Sequence, residues 1–314
     1  MIVCCGEALI DMVPGAEGEY SFLARPGGCP YTTSIAAARL GASSRFLGRI
    51  GTDFLGEALV ERLKANGVDS SLVARSDQGA TLAFVKRSES GDARYAFYSE
   101  GASDRSLESS DLPPSLGPDA RFLVVGSISM LQEPIATTVE GLVERECGRL
   151  LVSLDPNVRP SLIPDRGRYL ERLMAWASRS AIVKASSEDL EWLFPRDRPE
   201  DRPSRFLEAG AELVVATLGA EGALAVTRKA SARAAAFSVR IADTIGAGDT
   251  FHAAMLCHLE ACGSSDRSSL AALDEEALAS MLRFAQGAAA IDCTRTGAEP
   301  PTLAELESFL EEEP

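Results

Sequence analysis

Three features of the sequence predict an α/β fold with a mostly parallel sheet and a small β insertion. Short, continuous apolar runs alternate with helical segments, as strands buried on both faces require. One central stretch instead alternates residue by residue around a polar tip, with no long helix after each strand. Late in the chain, a glycine-rich turn leads straight into a long helix.

In order, Ile2 to Ala8 reads as a first buried strand and Tyr20 to Leu23 as a short exposed one, ended by Pro26-Gly27-Gly28. Small apolar positions from Tyr31 to Leu40 fit a helix closed by Gly41 as its C′ residue. Ser44 to Ile50 returns to strand. Asp53 then caps a helix from Phe54 to Asn66, with Leu55, Leu59 and Leu63 on one stripe and Gly67 at its end. Thr81 to Lys86 and Arg94 to Tyr98 flank the polar tip Ser88 to Asp92 as a hairpin. Alternation resumes with the apolar runs Phe122 to Val125, Leu150 to Leu154, Ala181 to Lys184, Leu213 to Thr217 and Ala223 to Val226. Helical segments, among them Leu170 to Ala177 and Glu188 to Leu193, separate them. Long helices over Thr250 to Ala261 and Leu273 to Ile291 complete the core, and Glu311 to Pro314 reads as a frayed tail.

Length and charge limit the function. The 314 residues suffice for one large domain or two ordinary ones, and 46% are hydrophobic, enough for a sizeable core. A net charge of −15 repels phosphate backbones and anionic lipid surfaces, so neither nucleic acid nor membrane is an expected partner. The apolar runs are too short to span a bilayer. The start, Met1 to Glu7, lacks the basic region of a signal peptide, so a soluble, cytoplasmic protein is expected. Seven scattered cysteines without a C-x-x-C pair, and only two histidines, disfavour a structural zinc site. Cys257-His258 reads as plain packing rather than a catalytic dyad, because neighbours on a helix do not face each other.

The richest stretch is Asp243-Thr244-Ile245-Gly246-Ala247-Gly248-Asp249-Thr250-Phe251. Two glycines around an alanine let the backbone turn sharply and bare its N–H groups at the positive end of a helix, which makes an anion hole for phosphate oxygens. A carboxylate is poorly placed beside a polyanion unless it takes a proton from an attacking hydroxyl, which suits Asp249 to general-base work. In isolation the same residues also suit a simple helix cap. No G-x-x-x-x-G-K-[ST] is present, which excludes a Walker-type ATPase, and the loop lacks the third glycine of a dinucleotide fingerprint. Pro26-Gly27-Gly28-Cys29-Pro30 precedes a helix and admits a small polar ligand close to the backbone. Asp11 could accept from sugar hydroxyls, although alone it reads as a surface acid. Arg159, after Asp155-Pro156-Asn157, falls at the carboxyl edge of the sheet, where ligands bind in open α/β folds and where an arginine holds anions.

In this order these segments resemble the ribokinase-like, or PfkB, family of carbohydrate kinases over nearly the whole chain. Gly6-Glu7-Ala8-Leu9-Ile10-Asp11 is similar to the first-strand motif of the family's fructokinase branch. Pro26 to Pro30, Ala38-Arg39-Leu40-Gly41 and Gly48-x-x-Gly51-x-Asp53-x-x-Gly56 are similar to its N-terminal signature, and Asp243 to Phe251 to its C-terminal one. The resemblance implies a three-layer α/β/α fold with a β lid. It divides the chain into a discontinuous α/β domain (1–11, 25–74 and 101–314) and a lid insertion (12–24 and 75–100). It implies ATP-dependent transfer of the γ-phosphate, with Mg2+, to a sugar hydroxymethyl group, most closely that of fructose. Asp249 would be the base, the amides of Gly246, Ala247 and Gly248 the anion hole, and Arg159 a holder of phosphate or substrate charge. Asp11, Gly27, Gly28, Thr32 and Tyr98 would surround the sugar. Ser186, Thr217, Gly219, Gly222 and Gln286 would border the nucleotide, Asp189 and Glu188 would serve magnesium indirectly, and the backbone around Asp243 and Ile245 would serve a monovalent cation such as K+. Lid strands would pair two subunits.

The sequence departs from the family on the sugar side. Thr32 stands where an asparagine is usual, and the lid strand reads Phe97-Tyr98-Ser99 rather than ending in arginine. A kinase for 2-keto-3-deoxygluconate or a nucleoside, or a sugar sensor without turnover, is therefore the alternative reading.

Overall fold

The structure is a computed structural model that describes residues 1–15, 21–87 and 93–313. Among the described residues, thirteen strands form two sheets. Nine of them build the large sheet: β1 (Ile2–Cys5), β4 (Ser44–Gly51), β5 (Asp69–Ser76), β8 (Phe122–Gly126), β9 (Leu151–Asp155), β10 (Ile182–Ser186), β11 (Leu213–Thr217), β12 (Ala223–Val226) and β13 (Ser231–Ala234). Their order is β13-β12-β11-β10-β9-β8-β1-β4-β5, parallel except at β12 and β13. The small sheet holds β2 (Leu9–Pro14), β3 (Phe22–Gly27), β6 (Leu82–Arg87) and β7 (Ala93–Tyr98) in the order β3-β2-β6-β7. Within it β2 and β6 pair in parallel, so the insertion is mixed rather than wholly antiparallel.

Side-chain alternation sets the layers. Ile2 and Cys4 of β1 point to one face of the large sheet, Val3 and Cys5 to the other, and all four are fully buried. On the first face pack α1 (Cys29–Arg39), α2 (Phe54–Ala65), α7 (Ala247–Ala261), α8 (Arg267–Ala271), α9 (Glu275–Cys293) and α10 (Leu303–Glu312). On the second pack α3 (Ile135–Glu146), α4 (Arg166–Arg179), α5 (Ser187–Leu193) and α6 (Ser204–Ala209), around Trp176 and Phe206. This is the three-layer α/β/α arrangement, with strands that read as unbroken apolar runs because both their faces are covered. All seven cysteines are free, and no helix among the described residues is long and apolar enough to cross a membrane.

Several elements differ from expectation. The first strand stops at Cys5, and a new one begins at Leu9. Gly6, at φ +153°, marks the break, and Pro30 and Ser129 crowd its α-carbon so closely that a side chain would not fit. Asp11 therefore lies in β2 of the small sheet, and the domain boundary expected after residue 11 falls inside that strand. The boundary expected after residue 74 likewise falls inside β5. Pro26 and Gly27 complete β3 instead of ending a strand; Tyr20 and the hairpin tip Ser88 to Asp92 lie outside the described residues, as does Pro314. Glu311 and Glu312 belong to α10, which Thr302 caps by accepting from the Glu305 amide. Asp53 does cap α2, accepting from the Gly56 amide at 2.7 Å.

Neighbours of β1 lead away in opposite directions, to β8 on one side and β4 on the other. A crevice opens at the carboxyl end of such a switch point. Here the small sheet roofs it.

Candidate active site

A cavity of about 180 Å³ lies between the carboxyl ends of β1, β9 and β10, the start of α7 and the inner face of the small sheet. Its wall includes Asp11, Gly28, Thr32, Arg159, Ile245, Gly246, Gly248 and Asp249, which brings together residues up to 238 positions apart in the chain. Gly28, at φ +109°, caps α1, and a side chain there would strike the Glu7 carbonyl oxygen. Gly27 packs on the Asp11 carboxylate so closely that a Cβ would overlap it. Close backbone approach thus requires Gly28, whereas a side chain at residue 27 would displace the Asp11 carboxylate. Burial pushes the Asp11 carboxyl up to about 7, against the pull of the Arg159 charge. Arg159 lies over the Tyr95 ring at 5.2 Å and donates to the Asn157 and Val158 carbonyls at 3.2 Å each.

Parity along β7 corrects one expectation. Tyr95 and Phe97 face the cavity, so Tyr98 must face the other way; it is 66% exposed and packs edge-on against Phe84. Tyr98 is not a wall of this site.

Asp249 occupies the third position of α7, whose cap Gly246 is left-handed at φ +85°. Within a helix the first-turn amides have no carbonyl four residues back. Gly248 and Asp249 therefore present N–H groups at the positive helix end, while Ala247 donates weakly to the Thr244 carbonyl at 3.3 Å. Burial pushes the Asp249 carboxyl up to about 8. The Cys29 thiol and the Lys184 and Arg159 charges oppose that rise, and Asp155 adds to it. Ligand atoms of Cys29, Asp155 and Asp249 lie within 4.8 Å of one another. Lys184, the middle residue of β10, donates to Asp155 Oδ2 at 2.8 Å and also lines the cavity. The apolar run Ala181 to Lys184 marks a buried strand, and a lysine ending it at the carboxyl edge was the one signal for this residue in the sequence.

A second, larger cavity of about 620 Å³ adjoins the first. Thr217, Gly219, Gly222, Gln286 and Glu188 line it, with Ala247, Phe251 and Ile241. Thr244 and Gly248 belong to both cavities, so the two meet at the N-terminus of α7. Ser186 and Asp189 line neither. The Ser186 hydroxyl accepts from the Asp189 amide, while the Asp189 carboxylate accepts from the Val158 and Ser186 amides at 2.8 and 3.1 Å. They form a capping box that ties α5 to the loop bearing Arg159, and Glu188 is the carboxylate that faces the larger cavity. Asp243 also works within its loop: its carboxylate accepts from the amides of Thr244, Ile245 and Gly297.

A small polar cavity and a larger, partly apolar one, joined at the positive end of a helix beside a carboxylate, form a site suited to group transfer between two bound molecules. The chain belongs to the pfkB family of carbohydrate kinases, whose pattern matches residues 1–305. It is 42% identical over 280 residues to a fructokinase of Rhizobium leguminosarum bv. trifolii, covering 88% of this chain and 85% of that one. Among solved structures it is similar to a fructokinase with bound ATP from Xylella fastidiosa (TM-score 0.90, 31% identity, 99% of this chain and 98% of that chain). It is also similar to the fructokinase of Vibrio cholerae O395 in fructose-, ADP- and calcium-bound form (TM-score 0.84, 26% identity, 98% of each chain).

Proposed function

We propose that this protein is an ATP-dependent kinase that transfers the γ-phosphoryl group to the hydroxymethyl group of fructose. The observation that carries the reading is the meeting of two cavities at the start of α7, with Asp249 in the smaller and the helix amides between them. The names of the Rhizobium, Xylella and Vibrio relatives support the choice of sugar and nucleotide.

On this reading fructose fills the smaller cavity. Asp11 accepts from its hydroxyls, Gly27 and Gly28 let it approach the backbone, Thr32 donates one hydroxyl hydrogen bond, and Tyr95 and Phe97 cover it. ATP fills the larger cavity, its phosphates along Thr217, Gly219 and Gly222 and its base near Gln286. Asp249 takes the proton of the attacking hydroxyl; a base whose pKa lies near working pH is the efficient one. The amides of Gly246, Gly248 and Asp249, with that of Ala247 once it leaves its long bond to Thr244, and Arg159 hold the phosphoryl oxygens, and such positioning with charge stabilisation supplies most of the acceleration in this chemistry.

The exposed Glu188 carboxylate, a hard oxygen donor on the wall of the larger cavity, fits Mg2+. When bound, that ion neutralises phosphate charge. Ser186 and Asp189 serve it indirectly, by fixing the turn that presents Glu188. A monovalent cation such as K+ fits the same proposal at the backbone of Asp243 and Ile245, on the loop that the Asp243 carboxylate pins. We also place the enzyme in the cytoplasm and read the small sheet, with its flanking loops, as a lid domain. Its outer face carries the contiguous rings of Phe22, Phe84 and Tyr98, which suits pairing of two lids in a homodimer.

Purified protein with Mg-ATP and, in turn, fructose, ribose, 2-keto-3-deoxygluconate and adenosine tests the reading. Fructose is expected to give the highest kcat/KM. A better acidic sugar or nucleoside overturns the choice of substrate, and sugar binding without any phosphorylated product makes the protein a sensor.

A further inference from the structure

Lys184 stands apart from the rest of the basic residues. The sequence has four lysines among 31 basic side chains, and among those whose side chains are described this one is buried in the core, with 6% of its side chain exposed. It extends from β10 to the floor of the smaller cavity, beneath the first turn of α7. A Cβ at Gly248 would stand 3.2 Å from its Nζ, so the ammonium lies directly behind an anion-hole amide. An ammonium has three N–H donors, and the hydrogen bond Lys184 makes among the described residues is the one to Asp155. Its remaining donors face the cavity, where an anion can accept from them.

We propose that Lys184 is a further catalytic residue, whose ammonium binds the transferring phosphoryl group alongside Arg159, with Asp155 holding it in place. The inference rests on the kinase reading above. In the transfer, the sugar hydroxyl oxygen bonds to the γ-phosphorus, and the bond from that phosphorus to the β,γ-bridging oxygen breaks with its electron pair left on ADP. The hydroxyl proton passes to the Asp249 carboxylate. Negative charge stays on the phosphoryl oxygens throughout, and Lys184 donates to one of them without being consumed.

The surroundings explain why a cation is needed here. Asp155 from β9, Asp249 from α7 and the Cys29 thiol from α1 converge within 4.8 Å, and Asp189 of α5 feels both Asp155 and Lys184. His252 of α7 is buried and neutral: burial pushes it down to about 4, and its Nε2 pairs with the Ser153 hydroxyl at 2.6 Å, so it brings no positive charge. Burial alone would discharge Lys184 as well, but the charge and hydrogen bond of Asp155 outweigh it and keep the ammonium protonated. A fixed point charge thus faces a site otherwise rich in carboxylates.

The alternative role is that of a counter-ion for Asp155, and two variants separate the roles. Asp155→Asn keeps the lysine and removes its partner; Asp155→Asn/Lys184→Met removes both charges. Each is checked for folding by ADP binding in calorimetry, and single-turnover transfer to fructose is then compared. The double variant is expected to be slower than Asp155→Asn by about 100-fold or more, the scale for loss of one oxyanion donor, with the fructose KM unchanged. Equal or faster transfer in the double variant overturns the proposal. Where a variant fails to bind ADP, the wild-type protein gives the answer through 13Cε-lysine NMR. The Lys184 signal should move further with fructose and β,γ-methylene ATP than with fructose and ADP; equal shifts, or none, overturn the proposal. Wild-type protein that makes no sugar phosphate from ATP defeats the kinase reading instead.

Discussion

Replacing Asp249 by asparagine tests the site most directly, because the side chain keeps its shape and loses its charge. Loss of a general base costs about 100- to 10,000-fold in rate, or roughly 3 to 5 kcal/mol of transition-state stabilisation at ~1.36 kcal/mol per decade. Turnover of Asp249→Asn with fructose and Mg-ATP should fall by at least ~100-fold, with ADP affinity unchanged. The pH dependence carries a second signature. With its carboxyl pushed up to about 8 by burial, Asp249 is protonated in the empty site at neutral pH. The wild-type kcat/KM should therefore rise with pH up to about 8 and then level, and the variant should lack that limb. Stability should move the other way. Between an unfolded value of about 3.9 and a folded value of about 8, the folded protein binds the extra proton. Stability contributed by this group is therefore lost as pH rises through that window. The ceiling of this penalty is about 5 kcal/mol at ~1.36 kcal/mol per pH unit, and partial exposure at the cavity wall reduces it to the order of 2 kcal/mol. Asparagine carries no such penalty, so the variant should melt roughly 3 °C higher at pH 8 and match wild-type at pH 4. A tenfold or smaller loss of turnover, or a melting difference that does not change with pH, would refute the reasoning.

Other positions give sharper local tests. Gly246→Ala forces a left-handed alanine, about 1–2 kcal/mol, against the α-carbon of Ala298, where its Cβ would stand at 2.8 Å; both the melting temperature and ADP affinity should drop together. Tyr98→Ser should leave the fructose KM unchanged, because the ring faces away from the cavity, and should shift the protein toward monomer in sedimentation. Glu188→Gln should raise the Mg2+ concentration needed for half-maximal turnover while leaving fructose affinity intact, and chelation by EDTA should abolish turnover in the wild-type protein.

Much of this was legible in the sequence where local chemistry decides the outcome. The runs at Phe122, Leu151, Ile182 and Leu213 could be read as strands because both faces of the large sheet are covered. Asp53, Gly41 and Gly67 mark helix ends by capping geometry that acts over a few residues. Legibility ended where pairing decides. β5 (Asp69–Ser76) is half-exposed at the sheet edge and shows no clear apolar run. The split between β1 and β2 depends on Pro30 and Ser129 crowding Gly6 from distant segments. In the site, the glycine-rich turn and Asp249 could be found from their spacing alone. Tyr98 and Tyr95 could not be told apart without knowing which face of β7 looks inward. The two backbone amides that hold Asp189, which the resemblance links to magnesium, show only in the fold, and Lys184 reads as the end of a strand until Gly248 is placed above it.

Asp11 and Asp249 belong to different sheets' territories: the first is carried by a strand of the small sheet, the second by a helix laid on the large one. A hexose in contact with both carboxylates would therefore act as a staple between two bodies of the molecule. An analogue stripped of the hydroxyls that meet Asp11 would touch one body alone, and the roof would have nothing to clamp onto. Discrimination among sugars would then arise from how firmly a ligand bridges the gap, rather than from how well it fits either wall.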